Sequence, residues 1–519
     1  MSGLARTLAV TLTGLTGHIV EVEAHCAPGL PAFTLVGLPD AAVRESRERV
    51  RAALSTCGVT WGERRLTVNL SPADLPKTGT GFDVSLALAV LGARGDLPAR
   101  SLPALARTVF IGELGLDASI RPVRGILPAV RAAVDAGVDT VVVPADCVAE
   151  ARLVPGARVT GAQHLATLIT SLGGRLSPDV LALAEAAAPR HSSLAPPVAA
   201  RQGVADLSDV VGQEEARHAL EVAAAGGHHL LLVGPPGAGK TMLAERLPSI
   251  LPELEDEDAV TVTSLHSVAG AFDPEHGLIR TPPLRAPHHT ATRAAVIGGG
   301  SGLPRPGDVS LAHRGVLLLD EAPEFPSGVL DCLRQPLESG TVTIDRAGGR
   351  ATYPAAFQLV LAANPCPCGK GAGRALECTC SSLQRRRYFS HLSGPLLDRV
   401  DIQLEVGAVT ADELGTHVRG ESSAVVAARV RRARLRAARR LEGTPWRLMG
   451  EVPGPWVRER TARADAALVA PLMDALDRGD LSLRGVDRVL RLAWTLADLG
   501  GHASPTLEDL GGAMALRMR

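Results

Sequence analysis

Apolar residues along this chain recur in two rhythms. Short runs at 8–12, 66–70, 108–111, 140–143, 229–233, 315–319 and 357–363 have the length and the Leu/Val/Ile content of buried strands. Between them, 41–54, 84–91, 127–136 and 240–251 repeat apolar positions at helical spacing, with Leu243, Leu247 and Leu251 on one face of the last. Strands alternating with helices predict an α/β fold built on parallel sheet. Across 176–205 the period stops in Ala-Pro-Arg-His-Ser-Ser and Ala-Pro-Pro stretches, which read as a linker. Beyond about 406 the chain turns helical, Arg-rich and Leu/Ala-periodic to residue 519. The expected domains are therefore 1–175, 206–405 and 406–519, within the two to four that 519 residues allow.

The segment Gly234, Pro235, Pro236, Gly237, Ala238, Gly239, Lys240 and Thr241 lies between the 229–233 run and the 240–251 helix. It fits G-x-x-x-x-G-K-[ST] in its required setting of strand, glycine loop and helix. Closely spaced glycines let backbone N–H groups converge on phosphate oxygens. Lys240 sets a compact ammonium between the outer phosphates of a nucleoside triphosphate, and the Thr241 hydroxyl can hold Mg²⁺. The chain carries three lysines against 51 arginines, and a lysine stands where the planar fork of arginine is too large. Two further strands end in polar groups. The 315–319 run is followed by Asp320 and Glu321, a carboxylate for the Mg²⁺ water shell and one to polarise the attacking water. The 357–363 run is followed by Asn364, which can orient that water. All three strand ends put chemistry at the carboxyl edge of a parallel sheet.

Four cysteines cluster as Cys366-x-Cys368 and Cys378-x-Cys380, whereas Cys26, Cys57, Cys147 and Cys332 are scattered. Four thiolates suit tetrahedral Zn²⁺, although the one-residue gap within each pair is tighter than usual; reduced, inert thiols are the alternative. The N-terminus lacks the cleavage site of a signal peptide and there is no apolar run of about 18 residues, so a cytoplasmic protein with no membrane partner is expected. Net charge is −1, yet Arg429, Arg431, Arg432, Arg434, Arg436, Arg439 and Arg440 crowd one stretch and Arg385, Arg386 and Arg387 another. Such runs are either a solvated helix face or a surface for a polyanion.

The order of Gly234 to Thr241, Asp320-Glu321, Asn364 and Leu396-Leu-Asp-Arg399 resembles an AAA+ ATPase. More narrowly, Arg285-Ala-Pro-His-His289, Arg305-Pro-Gly-Asp308, Leu333-Arg-Gln-Pro-Leu-Glu338, Asn364-Pro-Cys-Pro-Cys-Gly369 and Ser393-Gly-Pro-Leu-Leu-Asp-Arg399 resemble the magnesium-chelatase-like ComM/YifB family over nearly the whole chain. The resemblance implies a homohexameric ring with ATP held between subunits. Arg399 would be the finger reaching a neighbour's γ-phosphate, and Arg484 a second sensor in the helical lid, with Arg488 as its competitor. It also implies ATP-driven branch migration on branched or single-stranded DNA, alongside recombination proteins.

The segments 341–345 and 350–353 flank Arg346-Ala-Gly-Gly349 and read as a β-hairpin whose Arg346 and Arg350 could grip DNA phosphates without regard to sequence. Aromatics are 3% of residues, which disfavours base-stacking platforms. A chelatase-type motor acting on a protein or metal-insertion partner is the first rival. The second is an ATP-dependent protease, because 1–175 resembles the Lon proteolytic domain. There Gly81 stands at the nucleophile position and 121–129 contains no lysine, so peptidase chemistry is not expected. Lys77, in the same loop, is read as a helix-end or surface residue, with a DNA or inter-subunit contact as the alternative. His288 and His289 are given no ligand role.

Overall fold

The computed structural model describes residues 3–186, 205–300, 304–346, 349–371, 378–408 and 420–517. The expected linker from 187 to 204 and the hairpin tip at 347–348 lie outside the described residues.

The first domain is built around a seven-stranded sheet. Strand β1 (Gly3–Thr13) buries every second residue, Ala5, Thr7, Ala9 and Thr11, and pairs antiparallel with β2 (Thr16–Pro28). β3 (Ala32–Val36) and β4 (Arg64–Ser71) extend the sheet beyond β2; β5 (Val109–Phe110), β6 (Thr140–Pro144) and β7 (Arg158–Ala162) extend it beyond β1. Helices α1 (Ala41–Thr56), α2 (Asp83–Arg94) and α3 (Ile126–Asp135) cover it. α2 is buried from Asp83 through Ala93, so its one acid needs a partner: Arg49 of α1 binds Asp83 at 2.6 and 3.0 Å.

Two expectations change here. Lys77 is fully buried and its Nζ donates to the Pro72 carbonyl, so it touches neither solvent nor DNA and pins its own loop. Part of the expected linker is helical: α4 (Pro178–Ala186) seats Ala184 and Val180 on the apolar core. Pro178 opens the helix, where a missing N–H costs no hydrogen bond.

The second domain is the nucleotide-type core. Its parallel sheet contains β8 (Leu230–Val233), β9 (Leu284–Arg285) and β10 (Val316–Leu319), then β13 (Gln358–Ala363) and β14 (Ile402–Glu405), in the order β9-β10-β13-β8-β14. Every residue of β8, β10 and β13 is buried, as befits strands covered on both faces. The antiparallel pair β11 (Thr341–Arg346) and β12 (Gly349–Pro354) precedes β13. Helices α5 (Glu214–Gly226), α6 (Lys240–Ile250), α7 (Asp256–Ala269) and α8 (Ser382–Phe389) complete the core, and Leu251 falls just past the end of α6. The first domain docks on it through the turn between β1 and β2: Leu15 packs into the core cluster, and a Cβ on Gly14 would stand 2.7 Å from the Thr352 carbonyl. Ser267 of α7 donates to the half-buried Glu150 carboxylate at 2.5 Å.

The lid contains α9 (Ser423–Arg440) and α10 (Leu483–Gly500). Its arginine run divides by function. Arg429 grips Glu221 of α5 at 2.6 Å, Arg434 donates to the Ala224 carbonyl at 2.6 and 2.9 Å, and Arg440 pairs with buried Asp498 of α10. Arg431, Arg432 and Arg439 face solvent. Neither sequence alternative covers the first group, which staples the lid helix to its neighbours. No helix among the described residues is long and apolar enough to cross a membrane.

Lid and core also share a buried polar chain. His228, just before β8, bonds Asp401 Oδ2 at 2.9 Å through Nδ1 and Thr495 Oγ1 of α10 at 2.7 Å through Nε2. Burial pushes the Asp401 carboxyl up, but the His228 hydrogen bond and charge, with Arg491, draw it down to about 2. An acid whose affinity for protons is lowered by folding stabilises above its ordinary value of 3.8, and the contribution is lost as pH falls toward 2. Asp401→Asn should cost about 3–5 kcal/mol in denaturant titration at pH 7, the cost of breaking a buried pair, with the deficit shrinking as the pH approaches 2.

Candidate nucleotide site

Each parallel strand delivers its next residue to the same edge of the sheet, and the register fixes which residues meet. Leu230 to Val233 of β8 pair in order with Val360 to Ala363 of β13, and Val316 to Leu319 of β10 with Gln358 to Leu361. The phosphate loop after β8, Asp320-Glu321 after β10 and Asn364 after β13 therefore emerge side by side. Gly237 (φ +79°) and Gly239 (φ +86°) hold left-handed conformations that fold the loop over the first turn of α6.

The Lys240 ammonium, nearly buried, donates to the carbonyls of Gly234 at 2.7 Å and Pro235 at 2.9 Å and to Asn364 Oδ1 at 3.2 Å. Burial lowers its proton affinity, while Asp320 and then Glu321 raise it. An ammonium held only by neutral acceptors inside a loop of N–H donors is poised for phosphate oxygens. Thr241 Oγ1 donates to Asp320 Oδ2 at 2.6 Å, so hydroxyl and carboxylate already meet. Hard oxygen donors of this kind fit Mg²⁺, which would supply charge neutralisation on the outer phosphates.

Glu321 takes a left-handed conformation, φ +51°, strained by about 1–3 kcal/mol for a non-glycine residue. Its carboxylate is half exposed and lies 3.2 Å from His289 Nδ1. His289, assigned no ligand role in the sequence, faces this acid beside the glycine loop. The Pro-His-His segment after the short β9 was the only cue, since β9 ends at the same sheet edge.

The cysteine cluster adjoins this edge. The sulfurs of Cys366, Cys368, Cys378 and Cys380 lie within 4.8 Å of one another, with Cys366 fully buried. A Cβ on Gly371 would stand 2.9 Å from Cys366 Sγ, so glycine leaves the space between the thiols open. Donor set and spacing fit Zn²⁺.

Arg399 and Arg484 are elsewhere. Arg399 precedes β14, which runs parallel to β8 with Ile402 beside Leu230, so it sits at the amino edge, a strand length of about 10 Å or more from the phosphate loop. It is ion-paired with Glu338, and Arg484 donates to Asp398 Oδ2 at 2.6 Å. Arg488, almost buried, lies 3.7 Å from Asp401. Four arginines, Arg399, Arg484, Arg488 and Arg491, and four acids, Glu338, Asp398, Asp401 and Asp487, line a cavity of about 340 Å³ at that edge. Burial, followed by the charges of Arg334 and Arg484, lowers the proton affinity of Arg399. At the hairpin, Arg346 and Arg350 are exposed, and Arg350 lies 3.5 Å from Asp345.

The family described as "Magnesium chelatase, subunit ChlI" matches residues 206–414, "Subunit ChlI of Mg-chelatase" residues 22–147, and the subunit's C-terminal family residues 420–517. Protein Rv2897c of Mycobacterium tuberculosis is 49% identical over 99% of this chain and 98% of its own. YifB of Escherichia coli and competence protein ComM of Haemophilus influenzae are each 38% identical over 97% of this chain and 95% of theirs.

Lys240→Ala should remove the one cation of the loop. ATP turnover of the purified protein should fall at least about 100-fold, with thermal unfolding little changed.

Proposed function

This chain belongs to the ComM/YifB family of magnesium-chelatase-like AAA+ proteins, and from that premise we propose that it is a ring-forming ATPase that moves on branched DNA during recombination or uptake. The observation that carries the reading is the division of the site between two sheet edges. Lys240, Thr241, Asp320, Glu321 and Asn364 share the carboxyl edge, whereas the arginine-lined cavity with Arg399 and Arg484 opens at the other. An arginine on the far edge cannot reach its own subunit's phosphates, but head-to-tail stacking around a ring sets one copy's cavity against the next copy's loop.

In that arrangement Lys240 and the loop N–H groups bind the β- and γ-phosphates, and Thr241 and Asp320 hold Mg²⁺. Glu321 takes the proton of the attacking water, Asn364 orients that water, and Arg399 and Arg484 of the adjacent copy neutralise charge as the γ-phosphoryl leaves. The four thiols hold a structural Zn²⁺.

DNA as the track is supported by the family relation to a competence protein and by Arg346 and Arg350 on an exposed hairpin. The Asp345 pair is solvent-exposed and worth about 0–1 kcal/mol, so phosphate can displace the carboxylate. ATP turnover should rise when forked or four-way-junction DNA is added, and the rise should weaken with salt and in Arg346→Ala/Arg350→Ala. Turnover indifferent to DNA would contradict the track and favour a motor acting on a protein partner.

A further inference from the structure

The cysteine cluster is joined to the nucleotide edge at four places. Cys366 follows Asn364 by a single proline, so the first thiol and the residue that meets Lys240 are almost one unit. Gly369, whose N–H donates to the Cys366 carbonyl at 2.9 Å, lies against the phosphate loop: a Cβ there would stand 2.6 Å from Pro236 Cγ. Helix α8 begins just after Cys380, and its buried Tyr388 lies beside the Asn364 backbone. His391, past the end of α8, bonds the Pro323 carbonyl at 2.7 Å through Nδ1, two residues beyond Glu321. A closed knuckle thus touches the loop, the amide and the acidic turn together.

We propose that metal occupancy of the Cys366, Cys368, Cys378 and Cys380 site sets the shape of the nucleotide site, so that the knuckle acts as a metal-dependent brace on the phosphate loop and Asn364. This rests on the ATPase reading and adds its control. The four thiols occupy two short pairs separated by nine residues, and without a metal long sulfur contacts, of Cys378 with Cys366 at 3.6 Å and with Cys368 at 3.7 Å, join the second pair to the first. With Zn²⁺ the four sulfurs become one rigid centre, and the Gly369 contact with Pro236 and the Tyr388 contact with Asn364 are fixed together. Without it, Asn364 and the glycine loop lose a shared support, and phosphate N–H donors no longer converge. Groups that orient a binding shell in this way are worth about 10–100-fold when removed.

The test compares the intact protein with Cys378→Ser/Cys380→Ser and with Gly369→Ala, measuring zinc per chain by mass spectrometry and affinity for a non-hydrolysable fluorescent ATP analogue with Mg²⁺. The double variant should lose its zinc and bind the analogue about 10–100-fold more weakly. Gly369→Ala should keep one zinc per chain yet also bind more weakly, because its Cβ meets Pro236 while all four thiols remain. Near-normal melting of the first domain and lid in both variants separates local loosening from failure to fold. Zinc lost with analogue affinity unchanged, or Gly369→Ala binding normally, would overturn the brace while leaving the ATPase reading intact. An intact protein that holds zinc but binds no analogue would instead remove the ATPase reading, and one purified without zinc that binds the analogue tightly would remove the brace.

Discussion

The contact on which this molecule turns is the 2.6 Å hydrogen bond from Thr241 to Asp320, made possible by the parallel register of β8, β13 and β10. Residues nearly eighty positions apart meet because each strand ends at the same edge. An antiparallel strand at any of those places would send its polar residue to the opposite side. The burial of β8, β10 and β13 on both faces holds that register, since a slip would expose leucines and move Asn364 away from Lys240.

The same topology explains why the arginines stand apart. β14 joins the sheet parallel to β8, and whatever precedes it must lie at the amino edge. Arg399 and Asp398 are there, and the lid brings Arg484 and Arg488 to them through α10. The buried His228, Asp401 and Thr495 chain ties α10 to the first residues of β8 and β14, so core and lid shape the cavity together. One edge gathers Lys240, Thr241, Asp320 and Asn364, and the other gathers arginines paired with acids.

Much of this was legible in sequence. Uninterrupted apolar runs ending in Gly234, Asp320 and Asn364 gave both the strand type and the edge, because a buried parallel strand leaves its chemistry at its tip. The hairpin from Thr341 was legible from its glycine turn. Other features depend on long-range packing that no local pattern carries. Arg429, Arg434 and Arg440 look like surface charge, yet their partners Glu221, Ala224 and Asp498 lie far away in the chain. Lys77 looked exposed because lysine usually is, but the carbonyl of Pro72 in the same loop takes its ammonium inside. His289 could not be matched to Glu321 before the fold placed β9 beside β10. Helix α4 falls within the stretch read as linker from 176, because the Pro- and Ser-rich stretches behind that reading begin only after the helix ends.

The most direct test of a site shared between copies is complementation. Lys240→Ala and Arg399→Ala protein should each be nearly inert, one lacking the phosphate cation and the other the cation offered to its neighbour. Co-expressed and purified as mixed assemblies, they should regain measurable ATP turnover, because some interfaces then pair an intact loop with an intact Arg399. No recovery in assemblies shown to contain both variants, or full turnover by Arg399→Ala alone, would contradict the account.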